Sequence, residues 1–213
     1  MSGFEPMRLR NANLRCVFFV LASVLLPACA GLSSSSRNAG PTLERASRAY
    51  QDTVELSGRL SVRYQKDGTE EALHVNFTWQ QSSERTLVSI LSPTGQILAT
   101  IEILPDSATL AQAGQAPRIA KDVDALTAQT LGWSFPVAGL RDWLQGFGVD
   151  GDGRNFVASP ANGDTPVITK DGWRIQYVSW HDESGPVRPK RIDLERATTQ
   201  GGNVNLRIVV DGW

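Results

Sequence analysis

The strongest constraint on this chain is a period of two. Between Val54 and Tyr64, the residues Val54, Leu56, Gly58, Leu60, Val62 and Tyr64 alternate with Glu55, Ser57, Arg59, Ser61 and Arg63. Successive side chains on a strand point to opposite faces, so this stretch reads as a strand with one buried and one wet face. Lys66-Asp67-Gly68-Thr69 supplies turn chemistry, and Val75, Phe77 and Trp79 resume the alternation. Further strands are expected near 86–91 and 97–104, joined by Ser92-Pro93-Thr94-Gly95, with short ones near 108–112 and 118–120. A sheet wet on one side must cover its other, apolar side with something else.

The period then changes. Asp122 suits an N-cap for a helix carrying Val123, Leu126, Thr130 and Leu131, closed by Gly132. Pro136 opens a second helix, in which Val137, Leu140, Trp143, Leu144 and Phe147 fall on one face and Gly146 and Gly148 end the run. Another helix is expected around 43–52. After the loop Gly148–Gly153 the strands return, with Trp173, Ile175 and Tyr177, a turn at 181–186, Ile192 and Leu194, and finally Val204, Leu206, Ile208 and Val210. Strands, two helices, then strands predict an α+β fold, an antiparallel sheet with helices on one face.

The first residues read as an address. Arg8, Arg10 and Arg15 precede the apolar run Cys16 to Leu26, a basic region and a core too short to span a bilayer comfortably. The run ends on Leu26-Pro27-Ala28-Cys29, which resembles a bacterial lipobox. Residues 1–28 are therefore expected to be a signal peptide and Cys29 a lipid-bearing mature N-terminus. Residue +2 is Ala30, not Asp, which by resemblance to known sorting rules favours the outer membrane. Residues 29–41, with Ser33-Ser34-Ser35-Ser36, form a polar tether, and 42–213 a single domain. Cys16 leaves with the signal and Cys29 carries lipid, so the domain must stand on its core without a disulfide.

Chemistry is sparse. The 21 basic and 22 acidic residues nearly cancel, so no charge excess points to nucleic acid. There is no phosphate-cradling loop, no serine-nucleophile elbow, and no metal or cofactor signature. His74 and His181 have no motif partner. Asp150-Gly151-Asp152-Gly153 resembles the start of a calcium loop, but the acid expected eleven residues on is Ala161. These absences argue against an enzyme. An inward face bearing Val62, Phe77, Trp79, Trp173 and Ile175, opposite Leu140, Trp143, Leu144 and Phe147, suits either a filled core or a cavity.

Several segments, in this order, resemble the LolB family of outer-membrane lipoprotein receptors: Leu56-Ser57-Gly58-Arg59-Leu60-Ser61-Val62, Phe77-Thr78-Trp79-Gln80, Ser92-Pro93-Thr94-Gly95, Leu131-Gly132-Trp133-Ser134-Phe135-Pro136-Val137, Leu140 to Gly146, and Leu206 to Trp213. The resemblance implies an incomplete antiparallel β-barrel, a half-barrel, with a helical lid over an apolar cavity that takes acyl chains. On that reading Val62, Phe77, Trp79, Leu140, Trp143, Leu144, Phe147, Trp173 and Ile175 line the cavity. The implied partners are a LolA-like periplasmic carrier and acylated lipoprotein cargo, and the implied role is to accept that cargo and insert it into the outer membrane. A monomer is expected. The alternative is a structural outer-membrane lipoprotein of an assembly complex, with no ligand cavity.

A triacylated cysteine carries on the order of 45 methylenes, whose exposure to water costs up to about 36 kcal/mol at ~0.8 each. Such a cargo needs shielding, and passage between two apolar cavities needs no nucleotide. The family carries a loop leucine that helps hand cargo to the membrane. Here Thr94 stands at that position, and Ile97 or Leu98 is the candidate replacement.

Overall fold

In a computed structural model, residues 48–66, 68–181, 186–199 and 202–213 are described. The signal peptide, Cys29 and the tether lie outside the described residues, as do most of the expected turn at 181–186 and the expected helix as far as residue 47. Arg48–Asp52 carries no helix.

Among the described residues twelve strands form. The long hairpin is β1 (Val54–Lys66) and β2 (Thr69–Gln81), followed by β3 (Thr86–Leu91), β4 (Ile97–Leu104), β5 (Ser107–Gln112) and β6 (Arg118–Ala120). Two helices come next, α1 (Val123–Leu131) and α2 (Val137–Trp143). Then follow β7 (Phe147–Val149), β8 (Asn155–Val157), a 3-10 turn at Pro160–Asn162, β9 (Val167–Ile168), β10 (Arg174–His181), β11 (Arg188–Thr198) and β12 (Gly202–Gly212). Ten strands make one antiparallel sheet in the order β6-β5-β4-β3-β2-β1-β12-β11-β10-β9, while β7 and β8 pair separately. Two meanders thus meet where β1 pairs with β12, and the sheet stays open, with β6 and β9 at its edges.

The alternation places Leu56, Leu60 and Val62 of β1 on the face under the helices, with Val75, Phe77 and Trp79 of β2 and Val204, Leu206, Ile208 and Val210 of β12. Gly58 interrupts this row for a reason of space. A Cβ there would lie 2.1 Å from the Val209 carbonyl oxygen and 3.0 Å from the Phe77 ring, so the missing side chain lets that ring lie over the strand.

α1 starts as its sequence predicts: the Asp122 carboxylate accepts the Ala125 N–H at 2.7 Å, and Gly132, at φ +80°, ends it in the left-handed conformation. α2 is shorter than expected. It ends at Trp143, Leu144 caps it, and Gly146 at φ +78° turns the chain into β7. Phe147 therefore sits on a strand, not on the helix face, and Gly148 is a strand residue rather than a helix stop. The periodicity was misleading because Phe147 is apolar in either setting, while Gly146 already breaks the helix. No helix among the described residues is long and apolar enough to cross a membrane.

Candidate functional site

The helix-covered face of the sheet contains a hollow of about 300 Å³. Its floor comes from β1 (Leu60, Val62, Tyr64), β2 (Leu73, Val75), β3 (Ile90), β4 (Leu98, Ala99, Ile101) and β5 (Leu110, Gln112). Its roof is α1 with the segment behind it: Leu126, Thr127, Thr130, Leu131, Trp133 and Phe135. No charged side chain lines it. The two roof threonines are mostly spent within the roof, since Thr130 Oγ1 donates to the Leu126 carbonyl at 2.9 Å and Thr127 Oγ1 accepts the Phe135 N–H at 3.0 Å.

Register tells where this hollow opens. Leu60, Val62 and Tyr64 pair with Val75, Leu73 and Glu71, near the tip of the β1–β2 hairpin, and the β3–β4 turn lies toward the same end. There an apolar rim is exposed: Leu73 at 45%, Ile97 at 61%, Leu98 at 42% and Leu131 at 37%. Thr94 is exposed too, but its hydroxyl is tied to Ser92 Oγ at 2.8 Å in a turn closed by Gly95 N–H donating to the Ser92 carbonyl. Ile97 and Leu98 are the first residues of β4, so they begin a strand and stand at the mouth at once.

A crevice of about 40 Å³ lies deeper, between α2 and the sheet, and touches Phe77, Trp79, Leu140 and Leu144. It shares Leu60, Ile90, Ile101 and Phe135 with the larger hollow. Of the nine residues expected around a cavity, Val62 lines the larger space, and Phe77, Trp79, Leu140 and Leu144 line the smaller. Trp143, Phe147, Trp173 and Ile175 line neither. The Trp143 ring takes the space where a Cβ at Gly139 would stand, its carbonyl accepts the Tyr177 hydroxyl at 3.1 Å, and Trp173 lies under the Arg196 guanidinium. Burial raises the Tyr177 hydroxyl above its ordinary pKa and keeps it a neutral donor that pins α2 to β10. The hollow thus lies mainly under α1, whereas α2 closes a packed end. Trp133 and Phe135, in the segment behind α1, are the wall residues that helix periodicity did not single out, whereas Leu126 belonged to the predicted helix and the inward phase of β1 already pointed to Tyr64.

Away from the mouth, Arg48 holds the start of the described chain. Its guanidinium donates to the carbonyls of Gln145 (2.8 Å), Val187 (2.9 Å), Gly146 (3.2 Å) and Ala158 (2.7 Å). It also lies over the rings of Phe147 and Trp180, 5.2 and 5.4 Å from their centroids. Burial is the main cause lowering its pKa. Gln145 reinforces the attachment by accepting the Gln51 N–H and donating to the Gln51 carbonyl.

The other face is wet and polar. A hollow of about 340 Å³ there is lined by Ser61, Arg63, His74, Arg174, Asp193 and Glu195 among others, crossed by exposed ion pairs such as Arg174–Glu195. His74 Nδ1 is 2.9 Å from Ser61 Oγ, and His181 Nε2 lies 2.9 Å from the Val210 carbonyl. Asp150 is occupied by its own loop: it accepts the Asp152 and Arg154 N–H groups, and the latter is the chief cause holding its carboxyl below the ordinary range. No group of three or more metal-capable side chains occurs among the described residues.

The family described as "Outer membrane lipoprotein LolB" matches residues 52–213. A LolB of Cupriavidus necator is 35% identical over 203 residues, covering 94% of this chain and 98% of its own. One from Cupriavidus taiwanensis is 34% identical over 210 residues, with 96% and 97% covered. Among solved structures, a LolA superfamily protein from Nitrosomonas europaea aligns at 12% identity and a TM-score of 0.41, over 78% of this chain and 89% of its own. A match running from the first strand to the last residue, with relatives alike along nearly their whole length, means that the chain belongs to the LolB family of outer-membrane lipoproteins.

Proposed function

We propose that this protein accepts acylated lipoproteins from a LolA-like periplasmic carrier, holds their acyl chains in the hollow under α1, and inserts them into the outer membrane. Cys29 is the lipid anchor and residues 29–41 the tether in this reading. The observation that carries it is a hollow of about 300 Å³ with no charged lining, opening on an apolar rim, in a LolB chain. That volume is at the lower end of the about 300–1,000 Å³ of typical ligand pockets. It suits part of a cargo as it stands, and a triacylated group requires it to widen. The crevice beside Phe77, Trp79, Leu140 and Leu144 is the direction in which it deepens, while Trp143, Phe147, Trp173 and Ile175 support the wall from behind.

Ile97 and Leu98 take the part of the membrane-transfer tip, with Leu73 and Leu131 completing the rim. Thr94, tied to Ser92, serves the turn. Transfer follows from relative depth: each methylene gains about 0.8 kcal/mol on leaving water, so chains pass from carrier to receptor to bilayer without a chemical step if each well is deeper than the last.

The test is titration of the chain lacking residues 1–28, with Cys29→Ser, by an environment-sensitive fatty-acid probe beside Ala99→Phe. Ala99 lines the hollow and is half-buried, so a benzyl group there fills space without leaving a void. Saturable binding that Ala99→Phe abolishes supports the reading. Absence of binding by the parent chain would turn it toward the structural lipoprotein without a ligand.

A further inference from the structure

One wall of the hollow carries a polar group that the fold itself leaves unused. Trp133 is 3% exposed, and its Nε1 has no hydrogen-bond partner among the described residues. Trp79 shows the usual arrangement, its Nε1 donating to Gln81 Oε1 at 3.1 Å. Trp213 Nε1 is also unpartnered among the described residues, but that ring lies under Arg188 and does not line the hollow under α1. Buried N–H groups almost always find an acceptor, so an unmatched one on a cavity wall asks what normally supplies it.

Two further polar groups stand on the same wall without a hydrogen bond among the described residues. The Tyr64 ring lies 5.7 Å from the Trp133 ring, tilted by 49°, and Gln112 closes the β5 side of the lining. The rest of the lining is hydrocarbon apart from Thr127 and Thr130, whose hydroxyls are engaged within the roof. A pure hydrocarbon ligand would leave the enclosed Trp133 N–H unmatched and offer nothing to the half-buried Tyr64 and Gln112. An ester- or amide-linked acyl chain has one polar junction and a long apolar tail, which matches this division.

We propose that Trp133 Nε1 donates to the carbonyl of an ester- or amide-linked acyl chain, so that the hollow selects acyl derivatives over bare hydrocarbon and fixes their direction. This rests on the acyl-binding reading of the hollow. The carbonyl sits between Trp133 and Tyr64, and the tail runs toward Ile90 and Ile101. Because the Trp133 N–H is enclosed, a neighbouring side chain has to swing aside to admit the carbonyl, and we assign that movement to the half-buried Tyr64 ring beside it. Tyr64 and Gln112 are positioning residues around the same junction. Trp133 is the specificity-determining one, because no solvent reaches its N–H when the site is empty.

The test uses the soluble chain, lacking residues 1–28 and carrying Cys29→Ser, with two competitors of equal length, methyl octanoate and n-decane, each displacing a fluorescent fatty-acid probe. Trp133→Phe keeps an aromatic ring and removes the donor. It is expected to weaken methyl octanoate about tenfold, the value of one good hydrogen bond, and to change n-decane by less than about twofold. Equal weakening of both ligands, or of neither, would overturn the proposal. An indole ¹⁵N–H spectrum of the unsubstituted chain tests the same point should the variant fail to fold. The Trp133 N–H resonance should move downfield with methyl octanoate and stay in place with n-decane, and the same shift with both would again overturn it. If the unsubstituted chain binds neither competitor nor probe, the acyl-cavity reading itself falls. Binding of both with no selective effect at Trp133 removes only the inference drawn here.

Discussion

Replacing Arg48 by Met keeps most of the aliphatic stem and removes a guanidinium that reaches four carbonyls on three separate segments. Of those acceptors, the Gly146 carbonyl keeps the Ala158 N–H, while the carbonyls of Gln145, Val187 and Ala158 lose the guanidinium. At about 1 kcal/mol for each orphaned partner, the expected loss is about 3 kcal/mol. The charge has no carboxylate partner among its hydrogen bonds, and its desolvation, seen in the lowered pKa, already counts against it, so a larger loss is not expected. For a domain of this size about 1 kcal/mol moves the melting point by about 2–4 °C, so Arg48→Met should lower it by about 6–12 °C. Arg48→Lys should recover less than half of that, because a compact ammonium cannot span acceptors on three segments. Thermal unfolding followed by far-ultraviolet circular dichroism reads both variants. A drop under about 2 °C for Arg48→Met would refute the reasoning, since it would mean that desolvation cancels the four bonds.

Gly58→Ala puts a Cβ 2.1 Å from a backbone carbonyl oxygen that cannot step aside, and should cost at least the about 1–3 kcal/mol of an overpacked core, measured by urea unfolding; adding Phe77→Leu should not restore it. Partial loss of solvent, followed by repulsion from Asp122 and Asp171, raises the Asp124 carboxyl above the ordinary aspartate value. An acid whose folded pKa is raised binds its proton more tightly in the native state, so its contribution to stability is present below the unfolded pKa and is lost as pH rises through the folded one. Asp124→Asn should therefore flatten the stability–pH curve over that window and leave the protein at least as stable at neutral pH, as melts from pH 3 to 7 would show. Replacing Ile97 by Asp should reduce flotation of the soluble chain with phospholipid vesicles severalfold while moving its melting point little, because Ile97 is the most exposed residue of the rim and does not line the hollow.

How much of this was legible beforehand differs from element to element. Strands β1 to β6 could be placed closely because a half-wet strand writes its two faces into alternate residues, and Gly68, Gly95 and Gly132 punctuate the chain where positive φ is needed. The end of α2 was not legible. Val137, Leu140, Leu144 and Phe147 fit a helical stripe, and only the turn at Gly146 shows that Phe147 belongs to the following hairpin. The site was half legible for a related reason. Phase tells which residues face inward, yet Val62 meets a hollow and Ile175 meets packed side chains though both obey the same alternation. What separates them is the placement of α1 over β5 and β6, a long-range matter that no local period encodes. Arg48 carried no signal at all, because its acceptors are backbone carbonyls, which every residue has.

A closed barrel has a bore fixed by its number of strands and their stagger. Among the described residues this sheet ends instead at β6 and β9, three and two residues long, with no ladder joining one edge to the other. Its curl is then a soft coordinate, resisted by the packing of two short helices rather than by a ring of backbone hydrogen bonds. Opening the angle between the two meanders enlarges the interior while every strand keeps its neighbours and its register. On the function proposed above, such a container would work like a cupped hand rather than a socket: its capacity would follow how far it is spread, so that one set of wall residues would serve guests of unequal bulk.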